Sequence, residues 1–284
     1  MKVKKTCIAI TIFFLAMIAL SAVFTLFHNE ISIKEKVAVV NIEGPIFQSK
    51  DTIDEIKGYI KNRGIKAIVL RIDSPGGGVV PSQEIYEEVR KAAAHKKIVV
   101  SMGSVAASGG YYIAAAASRI VANPGTITGS IGVIMELPNI KGLMDKIGVK
   151  TEVIKSGRHK DLASVFRGIG TEERAILQGV MDEVHEQFIK AISQSRKIPM
   201  EDVRKIADGR IFSGSQGIKV GLVDELGDLE YAVKLAAKMA GIKGEPEVVS
   251  KKPRSPFLDL LSGSVPEGIS KVVPKIELKY MYMP

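Results

Sequence analysis

Ser108 stands in the stretch SVAASGGYYIA (residues 104–114), among small residues and just ahead of two glycines and an apolar run. Glycines at 109 and 110 let the backbone turn sharply or let another molecule approach closely. A serine at such a corner is either a helix N-cap or a nucleophile held towards a substrate. A second glycine-rich stretch, Ser74-Pro75-Gly76-Gly77-Gly78, follows an apolar run. Its backbone N–H groups can converge on an anion as an oxyanion hole, or the stretch is simply a tight turn. It is not a phosphate loop, because no Gly-Lys-Ser/Thr follows, and it does not match G-x-G-x-x-G.

A serine hydroxyl is inert near neutral pH without a base. Of the four histidines, His28, His95 and His185 fall in a polar tether, at a helix end and inside a long helix, which leaves His159 in IKSGRHKDLAS. Lys155 and Lys160 flank it. A lysine serves as base if burial brings its pKa from about 10.4 to 7–8, which costs about 3–5 kcal/mol of desolvation. Spacing alone does not choose among Lys155, His159 and Lys160.

The elements that must position these groups alternate between strand and helix. Strands are predicted over 36–46, 67–72, 97–103, 119–122 and 150–154. Helices are predicted over 51–63, 81–94, 109–117, 140–146 and 171–197, the last opening on Thr171-Glu172-Glu173, which suits an N-terminus. The alternation implies α/β architecture with a mostly parallel sheet flanked by helices. Ser108 and the 74–78 stretch then follow successive strands and meet at one carboxyl edge, which favours the nucleophile reading over the cap.

Residues 7–27 carry no charge and are long enough to cross a bilayer core, which takes about 20 residues. A cleaved signal has a shorter apolar region, so an uncleaved anchor is expected. Lysines 2, 4 and 5 place residues 1–6 in the cytoplasm. Residues 28–35 then form a tether, 36–243 one extracytoplasmic domain at the cell membrane, and 244–284 a tail with prolines at 246, 253, 256, 266 and 274. The tail is expected to be irregular or disordered, or to lie across a neighbouring subunit or the membrane surface. The net charge of +9 is dispersed, with no zinc spacing and no basic stripe interleaved with aromatics, so no nucleic-acid partner is expected. The single cysteine, Cys7, excludes an internal disulfide framework.

The blocks NIEGPI, RIDSPGGGV, MGSVAASGGYYIA, PGTITGSIGVI, IKSGRHKDLAS and DGRIFSGSQGIKVGLVDELG resemble, in order, the short single-domain form of the signal peptide peptidase A (SppA) family. The resemblance implies a fold similar to ClpP and crotonase, a spiral of strand-strand-helix units. It implies a serine endopeptidase with Ser108 as nucleophile, Lys160 as general base and Ser130 orienting the lysine. Backbone N–H groups of Gly76 or Gly77 and of Gly109 would form the oxyanion hole, with His159 a bystander. It implies remnant signal peptides as substrates, small or aliphatic side chains in shallow pockets, no metal or organic cofactor, and a homo-oligomeric ring or dome in which one subunit completes another's site. The alternatives are a related membrane Ser–Lys protease acting on stomatin-like partners, a ClpP-like Ser-His-Asp protease, a crotonase-like acyl-CoA enzyme, or a non-enzymatic membrane scaffold.

Overall fold

The computed structural model describes residues 13–21, 35–251 and 279–282. The chain divides into two units, 1–34 and 35–284. In the first, residues 13–21 are helical (α1), and apolar side chains such as Phe13, Leu15 and Leu20 are exposed. Among the described residues no helix is long and apolar enough to cross a membrane. The rest of the expected span over 7–27 lies outside the described residues.

The second unit begins with β1 (Lys36–Glu43), α2 (Lys50–Lys61), β2 (Ile65–Ser74), β3 (Gly76–Gly78), α3 (Val79–Ala93) and β4 (Lys97–Ala107). It continues through α4 (Gly109–Ala115), β5 (Arg119–Ala122), β6 (Ile127–Gly129), α5 (Lys141–Lys146) and α6 (Thr171–Arg196). Then come α7 (Met200–Ile206), β7 (Ile211–Ser213), α8 (Gly214–Lys219), β8 (Glu225–Leu226), α9 (Leu229–Met239), β9 (Glu247–Ser250) and β10 (Lys279–Met281).

The main sheet runs β7-β6-β4-β2-β1-β9, with β5 on β4 and β8 on β5. Every pairing in it is parallel except β6 with β7. Strand residues alternate between faces, and both faces are buried, which explains the near-continuous Val/Ile runs in the sequence. Val37, Val39, Val69 and Val99 pack against α9 through Ala232, Val233 and Ala236. Ala38, Val40, Leu70 and Val100 belong to the larger core on the other face, with Ile56 of α2, Ile85 of α3, Ile113 of α4 and Phe188 of α6. Buried polar bonds fix the rim of this core. The fully buried Tyr111 donates its hydroxyl to the Leu222 carbonyl at 3.0 Å, and Arg196 pairs with Asp224 at 2.6 Å.

Three expectations change. No strand forms over 150–154: these residues have no ladder partner among the described residues, and Val153 and Ile154 are exposed. A strand alone leaves its amides unpaired, so the β-branched composition does not suffice. The 74–78 stretch is not a tight turn, since Gly76–Gly78 are extended. Finally, the described parts of the tail are ordered on the second unit, β9 against β1 and β10 against β3.

Candidate active site

β4 reaches four residues beyond the expected 103, so that Ser108 sits between its last residue and the first of α4. Its backbone is left-handed, φ 52 and ψ −116, a region that a non-glycine residue adopts only under constraint. The constraint is visible: the Ser108 N–H donates to the Gly129 carbonyl at 2.8 Å, tying the corner to β6. Ser108 occupies the N-cap position of α4, yet its side chain makes no capping bond. Its Oγ is buried and has no hydrogen-bond partner among the described residues, and the residue is 1% exposed. A hydroxyl held in that way is not serving the helix.

β3 runs beside this corner. Ile46 donates its N–H to the Gly76 carbonyl at 2.9 Å, and Gly78 donates to the Ile46 carbonyl at 2.8 Å. Bonds alternate sides along an extended chain, so the Gly77 N–H points the other way, into the cleft. The Gly76 N–H donates to Ser74 Oγ at 3.1 Å and is thereby engaged. Ser82 braces the same strand by donating to the Gly78 carbonyl at 2.9 Å. Glycine is required here: a Cβ on Gly77 would overlap the Ile46 carbonyl oxygen, and Gly76 has φ +101. A Cβ on Gly109 would lie 3.2 Å from the Gly77 nitrogen, so the two amides are neighbours. As the first residue of α4, Gly109 also has an N–H with no intrahelical acceptor.

Ser130 follows β6, adjacent to Ser108 across the β4–β6 pairing, with φ 50. It lines a cavity of about 310 Å³ with Val133, Ile134, His185, Asp208 and Met281. The structure thus gathers Ser108, Gly76, Gly77 and Gly109 at one corner and sets Ser130 one strand away.

The candidate bases lie in the loop ahead of α6. Lys155 pairs with Asp161 and donates to the Arg158 carbonyl at 2.9 Å. His159 faces Glu172, with 3.5 Å between Nε2 and Oε1. Lys160 is exposed, and no side-chain bond holds its ammonium among the described residues. Lys155 is therefore engaged, while Lys160 and His159 Nδ1, which has no hydrogen-bond partner among the described residues, are both available. Within one chain, however, the Lys160 amine is not on Ser108 Oγ, which has no hydrogen-bond partner among the described residues. The loop itself is braced: Arg167 bonds both Asp161 and Glu173. Those bonds hold the Asp161 carboxyl well below the usual carboxylate range, and Arg167 lowers Glu173 to about 2.

The family profile described as "Peptidase family S49" matches residues 90–243, more than half of the chain. The chain belongs to peptidase family S49. As a member it is a serine-type peptidase. The profile described as "Clp protease" matches residues 45–126, in keeping with the mixed α/β sheet and its strand-strand-helix order. Among S49 relatives, the Synechocystis protein named "Putative protease slr0021" is 43% identical over 74% of this chain and 76% of its own length. Protease 4 of Salmonella typhi is 34% identical over 84% of this chain and 41% of its own. The Arabidopsis thaliana chloroplastic serine protease SPPA is 32% identical over 82% and 35%, so the chain spans less than half of these two relatives.

Sequence reading of this S49 chain missed Ser74 and Ser82, which hold the glycine strand, and the neighbourhood of Tyr280. In Lys279-Tyr280-Met281-Tyr282 the alternation of residue types hinted at a strand. Nothing local showed that its partner lies some 200 residues earlier, at Gly77.

Proposed function

We propose that this S49 peptidase is a membrane-anchored endopeptidase that uses a Ser108–Lys160 dyad to degrade remnant signal peptides after their release from preproteins. One observation carries the reading: a strained, buried and unpartnered Ser108 hydroxyl beside the Gly77 and Gly109 amides. In this mechanism a neutral Lys160 takes the Ser108 proton and Oγ attacks the peptide carbonyl. The negative oxygen is held by the Gly77 and Gly109 N–H groups, since Gly76 spends its own on Ser74. Loss of one such donor typically costs about 10²–10³ in turnover. Ser130 orients the amine, the leaving amine receives the proton, and water activated by Lys160 then hydrolyses the acyl-enzyme.

The exposed Lys160 belongs in this reading to a dyad completed between copies, in a homo-oligomeric ring or dome. Burial against a neighbour would supply the desolvation that a neutral lysine requires. The exposed apolar side chains of α1 support an anchor over 7–27, with the N-terminus cytoplasmic and the second unit outside the cytoplasm at the cell membrane. Such an anchor keeps the site close to peptides that partition into lipid.

The test uses the full-length protein in detergent on a peptide library read by mass spectrometry. Ser108→Ala and Lys160→Arg should each abolish cleavage, with Lys160→Arg losing at least about 10² because arginine supplies no neutral amine. His159→Ala should stay within about twofold of wild type, as expected of a surface substitution. Near wild-type activity in Lys160→Arg would remove Lys160 from the mechanism. A loss in His159→Ala as deep as that of Ser108→Ala would move the base to histidine.

A further inference from the structure

Gly103 stands inside β4, and a glycine within a strand marks a bulge or a close approach of other atoms. Here it marks both. β2 and β4 keep one register from Ala67↔Lys97 to Ile72↔Met102, then resume it at Ser74↔Ala106. Asp73 on β2 therefore faces three residues of β4, Gly103 to Val105. The extra residues carry the end of β4 about 7 Å farther along, at about 3.3 Å per residue. The strand also changes neighbours across the bulge: Val99–Ser101 pair with β5, whereas Val105–Ala107 pair with β6. Ser108 follows directly, its N–H on the Gly129 carbonyl.

A bulge breaks the ladder, and the backbone groups it frees need other partners when buried. Three side chains supply them. Arg71 Nη1 donates to the Met102 carbonyl and to Ser101 Oγ, each at 3.0 Å. Thr126 Oγ1 donates to the Gly103 carbonyl at 2.7 Å. Asp73 Oδ1 accepts the Val105 N–H at 3.1 Å. The carboxylate of Asp73 lies flat on Gly103, where a Cβ would come within 2.6 Å of its Cγ. Arg71 and Asp73, two residues apart on β2, share one face and so grip β4 on either side of the bulge.

We propose that Asp73 and Thr126 are positioning residues of the peptidase reaction: they fix the Gly103–Val105 bulge, which sets where the Ser108 hydroxyl stands against the Gly77 and Gly109 amides. The proposal rests on Ser108 being the nucleophile. β3 is braced separately, by Ile46 and Ser82, so the Gly77 amide keeps its place when the clamp is lost. The clamp therefore acts on rate rather than on binding, since a reacting group displaced by about 1 Å costs about 10² in turnover.

The experiment measures kcat and KM for peptide cleavage by the full-length protein in detergent, at a temperature where circular dichroism shows the variants folded. Asp73→Ala should lower kcat at least about 10²-fold, with KM within about threefold of wild type. Asp73→Asn keeps an oxygen acceptor of similar shape and should recover kcat to within about fivefold of wild type. Should Asp73→Ala misfold, Thr126→Val removes only the hydroxyl donor to Gly103 and should lower kcat about tenfold at unchanged KM. A merely structural role would lower the melting temperature and leave kcat alone. Wild-type kcat in folded Asp73→Ala or in Thr126→Val, or no recovery in Asp73→Asn, would overturn the proposal. Ser108→Ala separates it from its premise. Cleavage persisting there removes the nucleophile and the clamp's purpose with it. Cleavage lost there but undiminished in the two clamp variants leaves the nucleophile and removes the clamp alone.

Discussion

Ser108 holds a left-handed backbone and a buried hydroxyl with nothing to bond, two local costs concentrated on one side chain. A sparsely populated φ/ψ costs about 1–3 kcal/mol, and an unsatisfied buried hydroxyl a similar amount. Glycine removes both and adds back some chain entropy. Ser108→Gly should therefore abolish peptidase activity while stabilising the fold by about 1 kcal/mol, raising the melting temperature by about 2–4 °C. Calorimetry beside a peptide assay checks this, and a fall in melting temperature would mean that the corner is not strained.

The loop that carries Lys160 is held to the start of α6 by carboxylates rather than by an apolar core. Asp161 bonds Arg167 and Lys155, while Glu173 bonds Arg167 and accepts the Gly170 N–H at 3.0 Å. Glu173 titrates at about 2 in the folded chain against an ordinary 4.5, so the folded loop prefers it ionised. Its support is complete above about 4.5 and drains as pH falls towards 2. Trypsin cannot follow that range, but pepsin can: cleavage within 155–170 should stay slow near pH 4 and accelerate towards pH 2. Arg167→Met should expose the loop already at pH 4. The same variant should lower kcat by about tenfold with KM little changed, since a base positioned 1 Å off costs rate rather than binding. Loop cleavage insensitive to pH or to Arg167 would show that other contacts hold it.

At the scale of the molecule, the proposed dyad sets a buried Ser108 against an exposed Lys160 on one chain, and in that reading it is completed by a second chain. Ser108→Ala and Lys160→Ala proteins, each inactive, should regain activity when co-assembled, because intact serine and intact lysine then meet across copies. Dissociation by dilution should abolish that recovery. No recovery in a demonstrated mixed assembly would place both groups of the dyad in one subunit.

Much of this was legible in the residues. Val and Ile runs buried on both sheet faces announce parallel strands, and β1, β2, β4 and β5 fall where the pattern puts them. Gly76, Gly77 and Gly109 cluster with Ser108 because each follows a strand that ends at the same edge. Local composition thus determined β1, β2, β4 and β5, helices α2 to α6 and the glycine-lined corner, since propensity and periodicity act over a few residues. Tertiary structure alone decided the rest. It straightened 76–78 into a strand by giving it Ile46 and Tyr280 as neighbours, withheld a partner from 150–154, and brought Tyr280 onto Tyr112 and Phe188. Backbone hydrogen bonds and aromatic contacts between segments far apart in the chain carry no local signature, so their outcome becomes visible only in the folded molecule.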